Sequence, residues 1–373
     1  MEIDHYHQKS DTDNNLGDST IVSKYRSAAE IVSAILPEII SKLVPGASVA
    51  ELCKYGDQLV FLHTSKVYNK KPVEKGIALP TTICINHYLQ YVSPLPGEGD
   101  VILQHGDLVK VELGVHIDGY IASAAHTTIL NPNLQQPVTG RSADVVAAAH
   151  FGSEVALKLL KPGNKGSDIV NAVSQVAAAF KCTPVEGSIV QQIRRYVLHA
   201  EKSVILNQTD DLLNNDFVIE PNEAYMVNVL MSSGEGLVRE SEVKPTIYQR
   251  NVNESYNLKL KAARSVFKKI TDTYSVFPFS TNSLEGTRDR LGIPECVNHG
   301  LLRPYYVLLE KTGQAVVAQF KFTVLIPQNN HKPVCITPPN PLPYVYSELS
   351  IPPELDVAKL LADEIRSAKG KPE

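Results

Sequence analysis

The stretch from Val109 to Leu130 constrains this chain more than any other. Apolar residues alternate at Val109, Val111, Leu113, Val115 and Ile117, so Lys110, Glu112, Gly114 and His116 point to the opposite face of a strand. Asp118-Gly119 then supplies the preferred two-residue hairpin turn. With that turn Ile117 faces Tyr120; counting outward sets Gly114 against Ser123 and makes Glu112 a diagonal neighbour of Ser123 on the same face. Two acids so placed could bridge a pair of divalent ions about 3.5–4 Å apart, as dinuclear hydrolases require. This chain offers one acid and one hydroxyl.

A longer pattern surrounds the hairpin. Val22, Tyr25, Ala29, Val32, Leu36, Ile39 and Leu43 recur at helical spacing until Pro45-Gly46, after which Ser48 to Glu51 reads as a capping box opening a second helix through Phe61. The order returns 117 residues later, where Leu160-Lys161-Pro162-Gly163 precedes a helix capped at Ser167-Asp168, and strands follow at 224–230 and 316–326. A chain of 373 residues could form two domains or one pseudo-symmetric one. The repeat favours one: two similar halves whose strands meet in a single curved sheet flanked by helices, with a site between them.

Three segments fall outside the repeat. Residues 1–18 are acidic and polar, a composition expected to be disordered. From about 251 to 303 the second half carries an insert with a helix from Asn257 to about Thr273, whose apolar face is Leu260, Ala263, Phe267 and Ile270. Lys261, Arg264 and Lys268 form its basic stripe, with Lys269 beside it. Between Arg239 and Lys311 there are 12 Lys/Arg against 8 Asp/Glu, a local excess able to attract phosphate in a chain of net charge −4. Lys66, Lys70, Lys71 and Lys75 make a second basic segment. The folded domain is expected over 19–337, and beyond Pro338 a Pro-rich strap leads to a final helix from Pro353 to Ala368.

Several function classes lose their warrant. No phosphate-binding nucleotide loop, Gly-x-Ser-x-Gly elbow or His-Glu-x-x-His helix is present. Five dispersed cysteines without a Cys-x-x-Cys pair suggest neither a disulfide framework nor a zinc ribbon, and are expected as reduced thiols. With neither a signal-like start nor a run of about 18 apolar residues, the chain is expected to be neither secreted nor membrane-bound.

Five ordered segments carry a resemblance: Gly76 to Thr81, Asp107 to Gly119, His199 to Lys202, Ser232 to Gly236 and Ala318 to Thr323. Together they resemble the signature segments of type II methionine aminopeptidases over about residues 20–330. The resemblance implies the α/β pita-bread fold, a pseudo-two-fold curved antiparallel sheet flanked by helices, with the helical insert in its second half. It also implies where that family's metal ligands fall: Glu112, Ser123, Gln191, Asn228 and Lys321. The family's proton-handling His falls on Tyr91, and its substrate-contacting His matches His199.

Neutral Ser, Gln and Asn are weak ligands, and a lysine would sit where two dications belong. The expectation is therefore no metal, no cofactor and no catalysis, with Lys321 and Glu112 paired across the old cavity. Among pita-bread proteins this set resembles the non-peptidase, proliferation-associated branch. That branch implies a nuclear, nucleolar and ribosome-associated nucleic-acid binder; the protein is expected in the nucleus and also the cytoplasm, as a monomer with no membrane partner. Curved DNA duplex is the expected partner, bound through phosphates and shape by Lys261, Arg264, Lys268 and Lys269. The alternative partner is ribosomal RNA on the ribosome, with the old peptidase pocket kept as a docking surface. A live aminopeptidase with an altered site is the third reading.

Overall fold

The computed structural model describes residues 11–97, 99–131, 133, 135–207, 216–284, 286–328 and 332–362. Of the expected disordered lead-in, residues 1–10 lie outside the described residues, and the remainder is corrected. Asp11–Asn14 form a 3-10 turn and Leu16 is buried. Asp13 meets Arg195 at 3.4 Å, and its carbonyl accepts a hydrogen bond of 2.6 Å from the Tyr120 hydroxyl. One acid of this polar segment thus finds a cation on the second half of the molecule.

Helix α1 (Ser19–Ser41) starts at Asp18, whose carboxylate accepts from Thr20 N, and buries the stripe from Tyr25 to Ile39. Helix α2 (Val49–Thr64) is capped by Ser48, which accepts from Glu51 N at 3.1 Å. Asp100 completes that cap: it takes the Ser48 hydroxyl at 2.6 Å and Ala50 N at 3.0 Å. Strands β1 (Lys75–Ile85), β2 (Tyr88–Gln90), β3 (Leu108–Ile117) and β4 (Tyr120–Ile129) finish the first half.

The second half repeats the plan with α3 (Arg141–Leu159), α4 (Gly166–Ala179), β5 (Thr183–Pro184), β6 (Ile189–Ile193), β7 (Ser203–Ile205), β8 (Glu223–Ser232) and β9 (Val238–Glu240). Helix α4 begins two residues earlier than a cap at Ser167 would start it, because Asp168 reaches back to Lys165 N while Ser167 bonds Asp216. The insert holds β10 (Ile247–Arg250), α5 (Lys261–Tyr274), β11 (Phe279–Ser280), the short turns α6 (Thr287–Arg290) and α7 (Ile293–Asn298), and β12 (Leu302–Tyr305). Then come β13 (Leu308–Glu310), β14 (Val317–Ile326), β15 (Val334–Cys335) and α8 (Asp356–Ala362). The strap and α8 are both docked: Val138 and Val345 form a bridge, and Lys158 donates to the carbonyls of Leu360 and Leu361 in the helix. The part of the expected last helix beyond Ala362 lies outside the described residues.

One antiparallel sheet joins the halves in the order β1-β3-β4-β14-β8-β6-β7, with β15 on β14 and β5 on β8. The hairpin register is the one its turn dictates: Ile117 opposes Tyr120 and Gly114 opposes Ser123. Asp118 and Gly119 both take positive φ, at 53° and 80°, as a type I′ turn needs. The odd-numbered residues of β3 pack on α1 and α2, and the even-numbered phenylalanines of β14 pack on α3 and α4. Two-residue periodicity therefore commits the opposite faces of both strands to one shared layer, where Glu112 and Lys321 lie. All five cysteines are unpaired, and no described helix is long and apolar enough to cross a membrane.

Candidate functional site

Glu112, Ala125, Lys321 and Asn228 form one row across β3, β4, β14 and β8, each opposite the next in register. Ala125 decides the geometry. Its methyl group leaves a gap in the row, and the lysine spans it: Lys321 Nζ lies 2.5 Å from Glu112 Oε1, with both side chains buried. Gln319, two residues earlier on the same face of β14, donates to Glu112 Oε2 at 3.1 Å and to Asn228 Oδ1 at 2.8 Å. Both carboxylate oxygens are thereby satisfied, which is what keeps a buried charge tolerable.

The remaining positions singled out in the sequence lie around this row. Ser123 is one step along β4; its backbone is held by Thr323 and Thr337, while its buried hydroxyl oxygen has no partner among the described residues. Gln191 donates to the carbonyls of Ala200 and Gln192, bracing the loop that carries His199. His199 is exposed; desolvation by the surrounding protein, then repulsion from Lys321, holds its pKa below the ordinary value.

Tyr91 takes a left-handed backbone with φ of 69° and meets Tyr305 edge to face at 4.9 Å. Burial, then Tyr305 and Glu112, push its hydroxyl well above the usual phenol range. The structure thus joins Glu112 to Lys321 directly and to Asn228 through Gln319, and leaves Ser123, Gln191, His199 and Tyr91 at the margins. Sequence reasoning missed Gln319 and Tyr305. The first was within reach, since a residue two before Lys321 in a strand must share its face.

The space beside Glu112 is nearly filled. Tyr91, Tyr305, Ile247, Pro278 and Leu79 close it to about 10 Å³, room for about one water. Two tyrosines and the insert occupy the space beside the carboxylate. As donors for divalent ions the residues are a poor set. The one carboxylate is held by an ammonium, and its neighbours are amides. Among the described residues no group of three or more His, Cys, Asp and Glu is placed to hold a metal.

The insert helix is built differently from its sequence reading. Ala263, Val266, Ile270 and Tyr274 form its buried face, and Leu260 is 53 % exposed rather than in the core, because the helix begins after it. Lys261, Arg264, Lys268 and Lys269 are all exposed. Two of them are committed: Arg264 donates to the carbonyls of Leu258 and Lys259, and Lys269 pairs with Asp289 at 3.1 Å. In the second basic segment Lys75 is tied to Val67 and Asn69.

Comparison with known proteins places this geometry in context. Residues 23–240 match the model of metallopeptidase family M24. The chain is 42 % identical to ERBB-3 binding protein 1 of Solanum tuberosum over 83 % of its length and 79 % of that protein's. It is 37 % identical to the curved DNA-binding protein of Schizosaccharomyces pombe over 84 % of this chain and 83 % of the relative. Among solved structures, a thermophilic Arx1 superposes with a TM-score of 0.83 at 28 % identity, covering 93 % of this chain and 99 % of that one. The methionine aminopeptidase of Thermotoga maritima superposes with a TM-score of 0.57 at 16 % identity over 86 % and 97 % of the two chains, which is a likeness of fold.

Proposed function

The chain belongs to metallopeptidase family M24, and from that premise we propose that it is a non-catalytic member that binds nucleic acid, curved DNA duplex foremost, by phosphates and shape. The observation that carries the non-catalytic half is the Lys321–Glu112 pair. By resemblance Lys321 stands at a bridging glutamate of the aminopeptidases and Ser123 at a bridging aspartate. The pair then neutralises the one acid left where two dications would sit, and it is a lapsed site. Gln191 and Asn228 are lapsed ligand positions and Tyr91 a lapsed proton-handling position, while His199 borders the lapsed substrate pocket.

The binding half is supported by the similarity to the curved DNA-binding protein and by the exposed cations of α5. Shape preference needs no base reading. A rigid basic surface reaches more phosphates on a duplex already bent, and avoids a bending cost of about 1–6 kcal/mol. We take the protein to be a monomer of the nucleus and cytoplasm.

A gel shift comparing curved with straight duplexes of equal length, in the presence of ribosomal RNA as competitor, tests the reading. Tighter retention of the curved duplex supports it; equal retention refutes the shape preference. Loss of both complexes to the competitor favours the second reading, in which the same cations hold ribosomal RNA.

A further inference from the structure

A groove of about 470 Å³ opens between the first half and the insert, within the range of about 300–1,000 Å³ usual for small-molecule sites. It is separate from the lapsed site. Thr82 of β1 borders the small cavity beside Glu112, whereas Ile83 and Ile85 line the groove, so the strand divides the two.

The inner wall is hydrocarbon: Val49, Ile83, Ile293 and Val307 are all buried there. Val243 and Leu291 extend that apolar surface to the lip, at 47 % and 70 % exposure. The wall's polar groups serve one another, since Ser93 Oγ meets Ser280 Oγ at 3.2 Å and the Thr246 hydroxyl donates to Ser93 O at 2.7 Å.

Two cations complete the lining, Lys244 and Arg290, and no acid is present among its described residues. Asp289, next to Arg290, is already engaged by Lys269. Arg290 Nε is buried and has no hydrogen-bond partner among the described residues. A buried guanidinium N–H left without an acceptor is costly, and the planar fork it belongs to suits a carboxylate.

We propose that this groove binds a small amphipathic anion, a medium-chain carboxylate, with its head on Arg290 and Lys244 and its hydrocarbon body between β1 and the insert. Charge and apolar area select it together: a neutral hydrocarbon leaves Arg290 unpaired, and a small hydrophilic anion leaves the apolar wall unfilled.

The test is a fluorescence titration of the full chain with dansyl-labelled undecanoic acid, followed by displacement. Dodecanoate should displace the probe at least about tenfold better than dodecanol, the worth of one charge-assisted pair. Arg290→Gln should abolish that preference and leave displacement by dodecanol unchanged. Lys244→Ser, at an exposed position, should reduce the preference as well and serves if the first variant is unstable. Absence of saturable probe binding would overturn the proposal. So would equal displacement by acid and alcohol, or a preference that survives both substitutions. A hydrophobic tetrapeptide with a free C-terminus that outcompetes dodecanoate would instead assign the groove to a polypeptide end.

Discussion

Lys321 reaches Glu112 across Ala125, a strand away, with 2.5 Å between Nζ and Oε1. Removing one partner of a buried pair leaves the other uncompensated, so Lys321→Met should cost about 3–5 kcal/mol. Glu112→Gln alone should also destabilise, and the double variant should be far less damaged than the sum of the two. Urea midpoints of the four proteins settle it: additive losses would mean that the two side chains do not act as a pair.

Ala125 yields a second, steric expectation. Ala125→Leu would place a branched side chain in the gap that the lysine spans, forcing the pair apart beside a cavity of only about 10 Å³. Overpacking of this kind costs about 1–3 kcal/mol, and here the broken pair adds to it. The same substitution in the Lys321→Met, Glu112→Gln background should be milder. Equal damage in both backgrounds would show that the gap is unrelated to the pair.

Much of this arrangement is legible in the sequence. The hairpin register follows from Asp118-Gly119 alone, because a two-residue turn fixes every pairing above it. The opposition of Lys321 to Ala125, by contrast, depends on how β14 of one half docks on β4 of the other, a pairing between residues 196 positions apart with no turn to set it. Capping is half legible: Ser48 announces the start of α2, but its second partner is Asp100, brought in by the fold. The lead-in misleads because composition counts charges without seeing that Arg195 awaits Asp13. At Leu260 a periodic apolar residue falls just outside the helix that its spacing suggests.

Metal should be irrelevant to stability, since the row is completed by an internal cation. Overnight dialysis against a chelator is expected to leave the melting temperature unchanged, and elemental analysis should find zinc, cobalt and manganese well below one per chain. A chelator-induced drop of several degrees together with stoichiometric metal would contradict the reading of the site.

Acid should unfold the protein through buried imidazoles. Desolvation brings His116 down to about 3. Desolvation, then His150, brings His126 down to about 4. Both stay neutral in the folded state while the unfolded chain binds protons below about 6.5. Their folded pKa is depressed, so unfolding free energy is lost as pH falls from about 6.5 through these values. Asp57, raised to about 6 by desolvation, acts with the opposite sign in part of that window, so the informative quantity is a difference between proteins. His126→Gln should flatten the slope of unfolding free energy by up to ~1.4 kcal/mol per pH unit between pH 6 and 4.5. Urea unfolding across that range would show an unaltered slope if His126 were protonated in the native state.

The cations of α5 divide into two kinds, and the division gives a sharper expectation than their count. Arg264 is bonded to Leu258 and Lys259, and Lys269 to Asp289, whereas no bond or ion pair involving Lys261 or Lys268 is found among the described residues. If α5 carries nucleic-acid affinity, Lys261→Ser with Lys268→Ser should remove most of it, for curved and straight duplexes by similar factors. The log–log salt slope should flatten by up to about 0.9 for each phosphate no longer neutralised. Lys269→Ser should have a smaller effect, because its charge is already answered by Asp289. The ratio of curved to straight affinity should hold in all of these variants, since a lone basic stripe supplies charge without a fixed frame for reading shape. Filter binding at several salt concentrations measures both quantities. An unchanged slope in the double variant would exclude α5 and shift attention to Lys66, Lys70 and Lys71, while selective loss of the curved complex would mean that the helix itself reads shape.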